Sequence, residues 1–431
     1  MPAWIAGHSA RKTLTKHRHP LDFSGRGSDI RYMLGSTAAE SESARIGGSE
    51  LRPGLQAQAT SPYRPRAAPM FRPERIVLAK GALDYSFGRE LADSISAAYP
   101  RATVDEQLDT PHNRIDLGTG DSVALQNRGK KTLVIGAHRS AVRQSSEEGN
   151  TCPNYWHFSP YGFCPYRCHY CYLAGTQGVR FSPTVKIFVN LEEMLAEIDR
   201  VARRLKRPIA FYLGKLQDGL ALDPLTGYSR LMVPFFADHP FARLTLLTKS
   251  ADVANLVDLE HRHHTILSWT LTPHAIAKRF EPVTPPTAAR LEAMRSCAAA
   301  GYPLRAVLMP LIPVNDWKEQ YRTLIRELLD SVPIDRITLG GICIYRPARE
   351  LMERRIGASN TISCNIVGGS GRDTDGRERF TRSRRIELYR FLIGEIRSHR
   401  PSLQIGLCLE ERAIFEALGM LQAIGKCNCV L

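Results

Sequence analysis

The sequence predicts an α/β fold in which six consecutive strand–helix units build a partial (β/α)6, TIM-like barrel over residues 151–360. Two observations carry that prediction. Apolar runs of strand length recur at about 154–161, 209–213, 244–248, 265–271, 304–309 and 336–344. Between them, stretches of helical periodicity lie at about 228–237, 251–259, 286–300 and 318–331. Such alternation implies a parallel sheet with helices outside it and functional side chains at the C-terminal ends of the strands. A chain of 431 residues with 43% hydrophobic content is long enough to bury so large a core.

The remaining elements follow in chain order. Residues 1–70 are rich in Ser, Gly, Ala, Arg and Pro, lack either periodicity and crowd Pro62, Pro65 and Pro69, so they read as a disordered extension. Residues 71–150 read as a small α/β module. It holds a strand Arg75–Ala79, a helix Arg89–Ala98 stopped by Pro100, a strand Lys131–Gly136 and a polar loop at 140–153. Asn190, with Glu193 three residues on, predicts a capping box. The helix it opens has an apolar face of Leu191, Met194, Leu195, Ile198 and Leu205 and ends before Pro208. Residues 361–431 read as a C-terminal α/β extension, with helix, strand and short helix from Ser383 and then Gly425-Lys426-Cys427-Asn428-Cys429.

The formal charge is +15, of which residues 1–70 carry +5 and the rest +10. The folded part is itself basic, which favours a polyanionic partner such as nucleic acid. No stretch approaches the roughly 18 apolar residues of a membrane span, and no apolar core follows the basic N-terminus, so a cytoplasmic protein without membrane contact is expected. Ten cysteines in such a chain read as metal ligands, reactive thiols and core residues, not as a disulfide framework.

The most informative stretch is Cys164-Pro165-Tyr166-Arg167-Cys168-His169-Tyr170-Cys171-Tyr172-Leu173. Three thiolates on one short loop converge on a point, which suits a metal or an iron–sulfur cluster with one coordination position left free. A structural zinc site completed by His169 or a distant cysteine is the alternative, as are three merely buried cysteines. Structural zinc usually takes paired motifs, whereas this triplet is single.

The spacing C-x-x-x-C-x-x-C resembles the signature of the radical S-adenosylmethionine (SAM) superfamily, and Cys168–Leu173 is similar to the spore photoproduct lyase family within it. The resemblance runs from about Pro73 onward. It includes Gly88-Arg89-Glu90-Leu91, Pro111-His112-Asn113, Lys131–Gly136, Thr248-Lys249, Phe280-Glu281-Pro282, Ala300–Leu304 and Pro347-Ala348-Arg349. It implies a partial barrel of the radical SAM type, with Cys164, Cys168 and Cys171 holding three irons of a [4Fe–4S] cluster whose fourth iron takes SAM. Reductive cleavage of SAM then gives a 5′-deoxyadenosyl radical, with electrons from a low-potential donor such as flavodoxin or ferredoxin. The implied substrate is UV-damaged DNA carrying a thymine dimer, the spore photoproduct.

The resemblance also implies residue roles. Lys249, at the end of the strand 244–248, matches a lysine that contacts the SAM carboxylate, and Thr270 matches a serine that contacts SAM. Tyr170 and Tyr172 match tyrosines that relay a hydrogen atom. Read on residue type alone, the tyrosines are packing aromatics, Thr270 is a strand threonine and Lys249 a surface lysine. Arg346 and Arg349 fall where the family has a basic hairpin at the lesion.

Two departures bear on the substrate. The family's hydrogen-donor cysteine lies in a segment matching Phe211–Asp218, where this chain has no cysteine and Lys215 takes the position. The lesion-contacting arginine is replaced by Cys343, at the end of the last barrel strand, which makes Cys343 the best-placed substitute donor. Cys427 and Cys429, with Cys408 or Cys364, are candidates for a second metal or a further donor. Two other readings stand beside repair: a radical SAM enzyme acting on another nucleic acid or nucleoside, and a non-catalytic iron–sulfur or zinc protein that binds nucleic acid.

Overall fold

Three sheets organise residues 66–366 and 375–431, the part of the chain that the computed structural model describes. All of these residues fall within one compact unit, Gly54–Leu431. The expected disorder of residues 1–65 lies outside the described residues. Residues 66–70, which the same expectation covered, are held in place. Arg66 forms a two-pronged pair with Asp252, Ala68 is buried with its N–H donated to the Tyr99 hydroxyl, and Phe71 follows into the core.

The first strands are β1 (Arg75–Ala79), β2 (Thr103–Gln107), β3 (Thr132–Gly136) and β4 (Val142–Ser145). Around the cysteine loop lie β5 (Tyr155–Phe158), β6 (Tyr161–Gly162) and β7 (Val185–Phe188). Then come β8 (Ile209–Leu213), β9 (Ala242–Thr248), β10 (Thr265–Thr270), β11 (Leu304–Leu308) and β12 (Arg336–Leu339). The last are β13 (Cys343–Tyr345), β14 (Arg377–Arg379) and β15 (Gln404–Leu407).

The large sheet has the order β15-β12-β11-β10-β9-β8-β5-β4, and every pairing except β4 with β5 is parallel. The six expected barrel strands are all in it, side by side. Register puts Leu267 opposite both Leu246 and Leu304, so the apolar rows of neighbouring strands align into one core. Its two edge strands approach through their loops, where Thr151 donates both N–H and hydroxyl to the Glu410 carbonyl. No helix among the described residues is long and apolar enough to cross a membrane.

The second sheet, β2-β1-β3-β7-β6, is parallel apart from β6 and takes β6 and β7 from beyond residue 150. The large sheet in turn takes β4 from before 150 and β15 from after 360. Neither sheet therefore stops at the sequence boundaries, because ladder pairing is long-range and leaves no mark in local composition.

Four expectations about elements are corrected. The polar loop at 140–153 contains β4; as an edge strand it is largely exposed, so it carries no apolar alternation. The run 336–344 is not one strand. It breaks at Gly340-Gly341 into β12 and a separate ribbon, β13 paired antiparallel with β14, so Cys343 leaves the large sheet. A Cβ on Gly340 would stand 2.6 Å from the Met309 sulfur, which ties glycine to that break. The helix expected at 251–259 is a series of turns, where Ser250 and Asp252 side chains capture the N–H groups of Asp252 and Ala254 in place of helical carbonyls. The helix Leu191–Leu205 forms as expected, yet Asn190 does not cap it: its amide donates to Glu193 and its oxygen accepts from His138 N–H.

Candidate active site at the cysteine loop

Cys164, Cys168 and Cys171 lie on the loop between β6 and the 3-10 turn Tyr172–Gly175, and all three are half-buried free thiols. Three contacts fix that loop. Lys130 donates its ammonium hydrogens to the carbonyls of Cys164 and Tyr166, the latter at 2.8 Å. His169 N–H donates to the Phe280 carbonyl at 2.8 Å. Gly175 lets the ribbon segment approach, since a Cβ there would stand 2.5 Å from Tyr345 Cβ.

Burial pushes the Cys164 thiol well up and the Cys168 thiol up to about 12, with the nearby Glu281 carboxylate adding to the latter. Thiols in such surroundings become thiolates when a metal supplies the compensating charge. Among the described residues no three His, Cys, Asp or Glu side chains converge closely enough for a single ion. That disfavours the zinc alternative with His169.

Beside the loop is a buried carboxylate that the sequence reading left without a role. Glu281 accepts from the Tyr170 hydroxyl and from Thr272 Oγ1 at 2.8 Å, pairs with Arg290 at 2.5 Å and faces the Lys249 ammonium at 4.0 Å. Burial works to raise its pKa, but Lys249, Arg290 and the donated hydrogen bonds prevail and hold it down at about 2. Arg290 also donates to the Thr270 carbonyl, which orders the end of β10. Asp218, likewise unassigned, anchors the end of β9 by accepting from Thr248 Oγ1 at 2.6 Å and from Lys249 N–H at 2.7 Å. Local pattern gives no sign of either role; the carboxylates meet their partners only through the sheet.

Tyr172 serves a different network. Its hydroxyl donates to the Lys215 main-chain carbonyl, while the Lys215 ammonium turns to Ser145 Oγ at 2.8 Å and Glu147 at 3.2 Å. Glu147 pairs with Arg377 at 2.9 Å, and Arg377 Nη1 lies 3.9 Å from Cys343 Sγ. Lys215 and Cys343 thus share one cluster. Burial pushes the Cys343 thiol up to about 11, against the pull of Arg379 and Arg377, so it stays protonated. The structure therefore groups Lys249, Tyr170 and the β10 end bearing Thr270 around Glu281, and groups Tyr172 with Lys215 and Cys343 around Glu147 and Arg377. The two tyrosine hydroxyls face different networks.

Arg346 and Arg349 are engaged by carboxylates of their own helix, Arg346 by Glu350 and Arg349 by Glu353, and Arg349 also by Glu378 of β14. At the C-terminus, the thiols of Cys152 and Cys429 hydrogen-bond to the buried Cys427 sulfur, which lowers the Cys427 pKa. The Cys427 carbonyl accepts from Arg336, and the Asn428 and Val430 carbonyls accept from Arg305.

Three comparisons bear on this site. The family model described as spore photoproduct lyase matches residues 71–353. The spore photoproduct lyase of Bacillus subtilis (strain 168) is 30% identical over 268 residues, 62% of this chain and 75% of that protein. That of Geobacillus sp. (strain Y412MC61) is 28% identical over 66% of this chain and 83% of its own. Among solved structures, a spore photoproduct lyase complexed with dinucleoside spore photoproduct superposes with a TM-score of 0.69 at 24% identity, covering 78% of this chain and 99% of that one. A variant of such a lyase with bound AdoMet and dinucleoside spore photoproduct gives a TM-score of 0.68 at 24% identity, over 78% of this chain and 98% of that one.

Proposed function

The chain belongs to the spore photoproduct lyase family and is an enzyme, a lyase of the radical SAM type, and from that premise we propose that it repairs spore photoproduct in UV-damaged DNA. The observation that carries the proposal is the cysteine loop itself: three half-buried thiols on one loop, with Lys249 just past the end of β9 and Glu281 just past the helix His274–Phe280 beside it. Cys164, Cys168 and Cys171 would hold a [4Fe–4S] cluster, which together with SAM would supply hydrogen-atom abstraction.

The chain's own residues do the rest. Lys249 offers an ammonium to the SAM carboxylate, which shares it with Glu281, and Thr270 offers a hydroxyl on the next strand. Tyr170 and Tyr172 carry the hydrogen atom back. The Cys343 S–H, weaker than any N–H or C–H nearby, quenches the opened dimer in place of the cysteine that Lys215 replaces. The net positive charge outside residues 1–70 supports a nucleic-acid partner. Flavodoxin or ferredoxin is the proposed electron donor, and the cytoplasm the proposed compartment.

A second reading rests on Lys215. An ammonium where a donor thiol is expected suits the same apparatus acting on a different nucleic-acid or nucleoside substrate. Anaerobic incubation of reduced, reconstituted protein with SAM and dinucleotide spore photoproduct separates the two. Repair yields 5′-deoxyadenosine or regenerated SAM together with the free thymine dinucleotide. SAM cleavage without that dinucleotide rules out the first reading in favour of the second.

A further inference from the structure

Lys130 is a buried cation that has no part in the roles above. It follows the helix Ser122–Gly129, is 5% exposed, and has no carboxylate partner among the described residues. Gly129 makes its position possible: a Cβ there would stand 2.3 Å from the Pro183 carbonyl oxygen, so only glycine lets the helix end sit this close. From that point the Lys130 ammonium reaches the Cys164 and Tyr166 carbonyls and lies 3.4 Å from the centre of the Phe163 ring.

An ammonium taken out of water without an opposite charge destabilises a fold by several kcal/mol. Two carbonyls and one aromatic face offset part of that. Both carbonyls belong to the loop that carries Cys164, Cys168 and Cys171, so the ammonium is tied directly to the backbone of the three thiols. The space behind the loop is narrow: the cavity lined by Lys130, Phe163, Cys168 and Cys171 holds about 10 Å³, room for one water molecule at most. Charges facing each other across such a space interact far more strongly than at a surface.

We propose that Lys130 is a positioning residue for the iron–sulfur cluster: it holds the 163–166 backbone in place and supplies the fixed counter-charge that makes the cluster easier to reduce. The inference rests on the cluster assignment to Cys164, Cys168 and Cys171. One-electron reduction adds one negative charge to the bound group, and a buried cation beside it favours the reduced state. The ligand chemistry is anionic and thiolate-bound, and the second sheet's module, not the large sheet, provides the cation.

The test uses reconstituted full-length protein and reads the cluster, not turnover. Iron content and the reduced-to-oxidised ratio at one fixed ambient potential, by electron paramagnetic resonance, are compared for the parent, Lys130→Met and Lys130→Arg. Lys130→Met is expected to shift that ratio about tenfold towards the oxidised form, equivalent to about 59 mV for a one-electron couple. Lys130→Arg is expected to stay near the parent. A folded Lys130→Met protein that takes up no iron while Lys130→Arg does also supports the proposal, because charge then decides loading. An unchanged ratio in iron-loaded Lys130→Met overturns it, as does equal loss of iron from both folded variants. Failure of the parent to hold iron would instead reject the cluster assignment, so the two failures are distinguishable.

Discussion

The Tyr172 hydroxyl donates a hydrogen bond to the main-chain carbonyl of Lys215 at 2.5 Å. Position 215 therefore touches the aromatic that follows Cys171, while its side chain points away to Ser145 and Glu147. Because the contact uses backbone, it survives a change of side chain. Lys215→Cys is expected to keep it and to place a thiol where the family has its donor, raising the yield of correctly repaired dinucleotide. Product ratios by chromatography check this, and an unchanged ratio counts against position 215 facing the substrate.

Cys343→Ala is expected to leave SAM cleavage near the parent rate and to replace the repaired product with abortive adducts. The thiol is protonated and sits beside Arg377, so its loss removes a hydrogen atom but little charge. Clean turnover by Cys343→Ala would show that another group is the donor.

The parent, reconstituted without oxygen, is expected to hold about four irons per chain and to absorb broadly near roughly 400 nm. Replacing Cys164, Cys168 or Cys171 with Ala is expected to abolish both the absorption and SAM cleavage. Parental iron content in Cys171→Ala would exclude that residue as a ligand.

Glu281 has an ordinary carboxyl pKa of 4.5 that the fold lowers to about 2. The sign follows from linkage: its stabilising effect is complete above about 4.5 and is lost as pH falls through about 2. Glu281→Gln is expected to lower stability at neutral pH by about 3–5 kcal/mol, because Arg290 is left buried without its counter-charge. It is also expected to flatten the loss of stability between those two pH values. Denaturant titrations at several pH values measure both effects, and an equally steep acid limb in the variant would show that other carboxylates dominate.

Much of the large sheet was legible because fully buried parallel strands read as plain apolar runs, and 209–213 and 265–271 differ from β8 and β10 by at most one residue. The cysteine loop was legible because its spacing is the chemistry. β4 was not, since Val142–Ser145 is an edge strand with polar side chains. Nor were Glu281 and Asp218: each acquires meaning only from Arg290, Lys249 or Thr248, residues 9 to 32 positions distant that the sheet brings back. Cys343 was found by its alignment and misplaced by the run 336–344, where two glycines, silent in an apolar count, divide the strand.

Residues 66–71 are packed against the rest of the fold, which their composition does not suggest. A protein beginning at residue 72 is expected to melt lower than one beginning at residue 66, because the shorter form loses the buried Phe71 ring, the Ala68 contact with Tyr99 and the Arg66–Asp252 pair. Removing a buried Phe side chain alone costs about 3–5 kcal/mol. Equal melting temperatures would mean that this segment is held without contributing.

The edges of the large sheet come from Val142–Ser145 and Gln404–Leu407, and the loops beyond them meet at Thr151 and Glu410. Contacts at such separation in the chain raise the loop-closure entropy that folding must overcome. An edge closed by residues 259 positions apart thus makes the large sheet a non-local unit whose folding is slow as a whole.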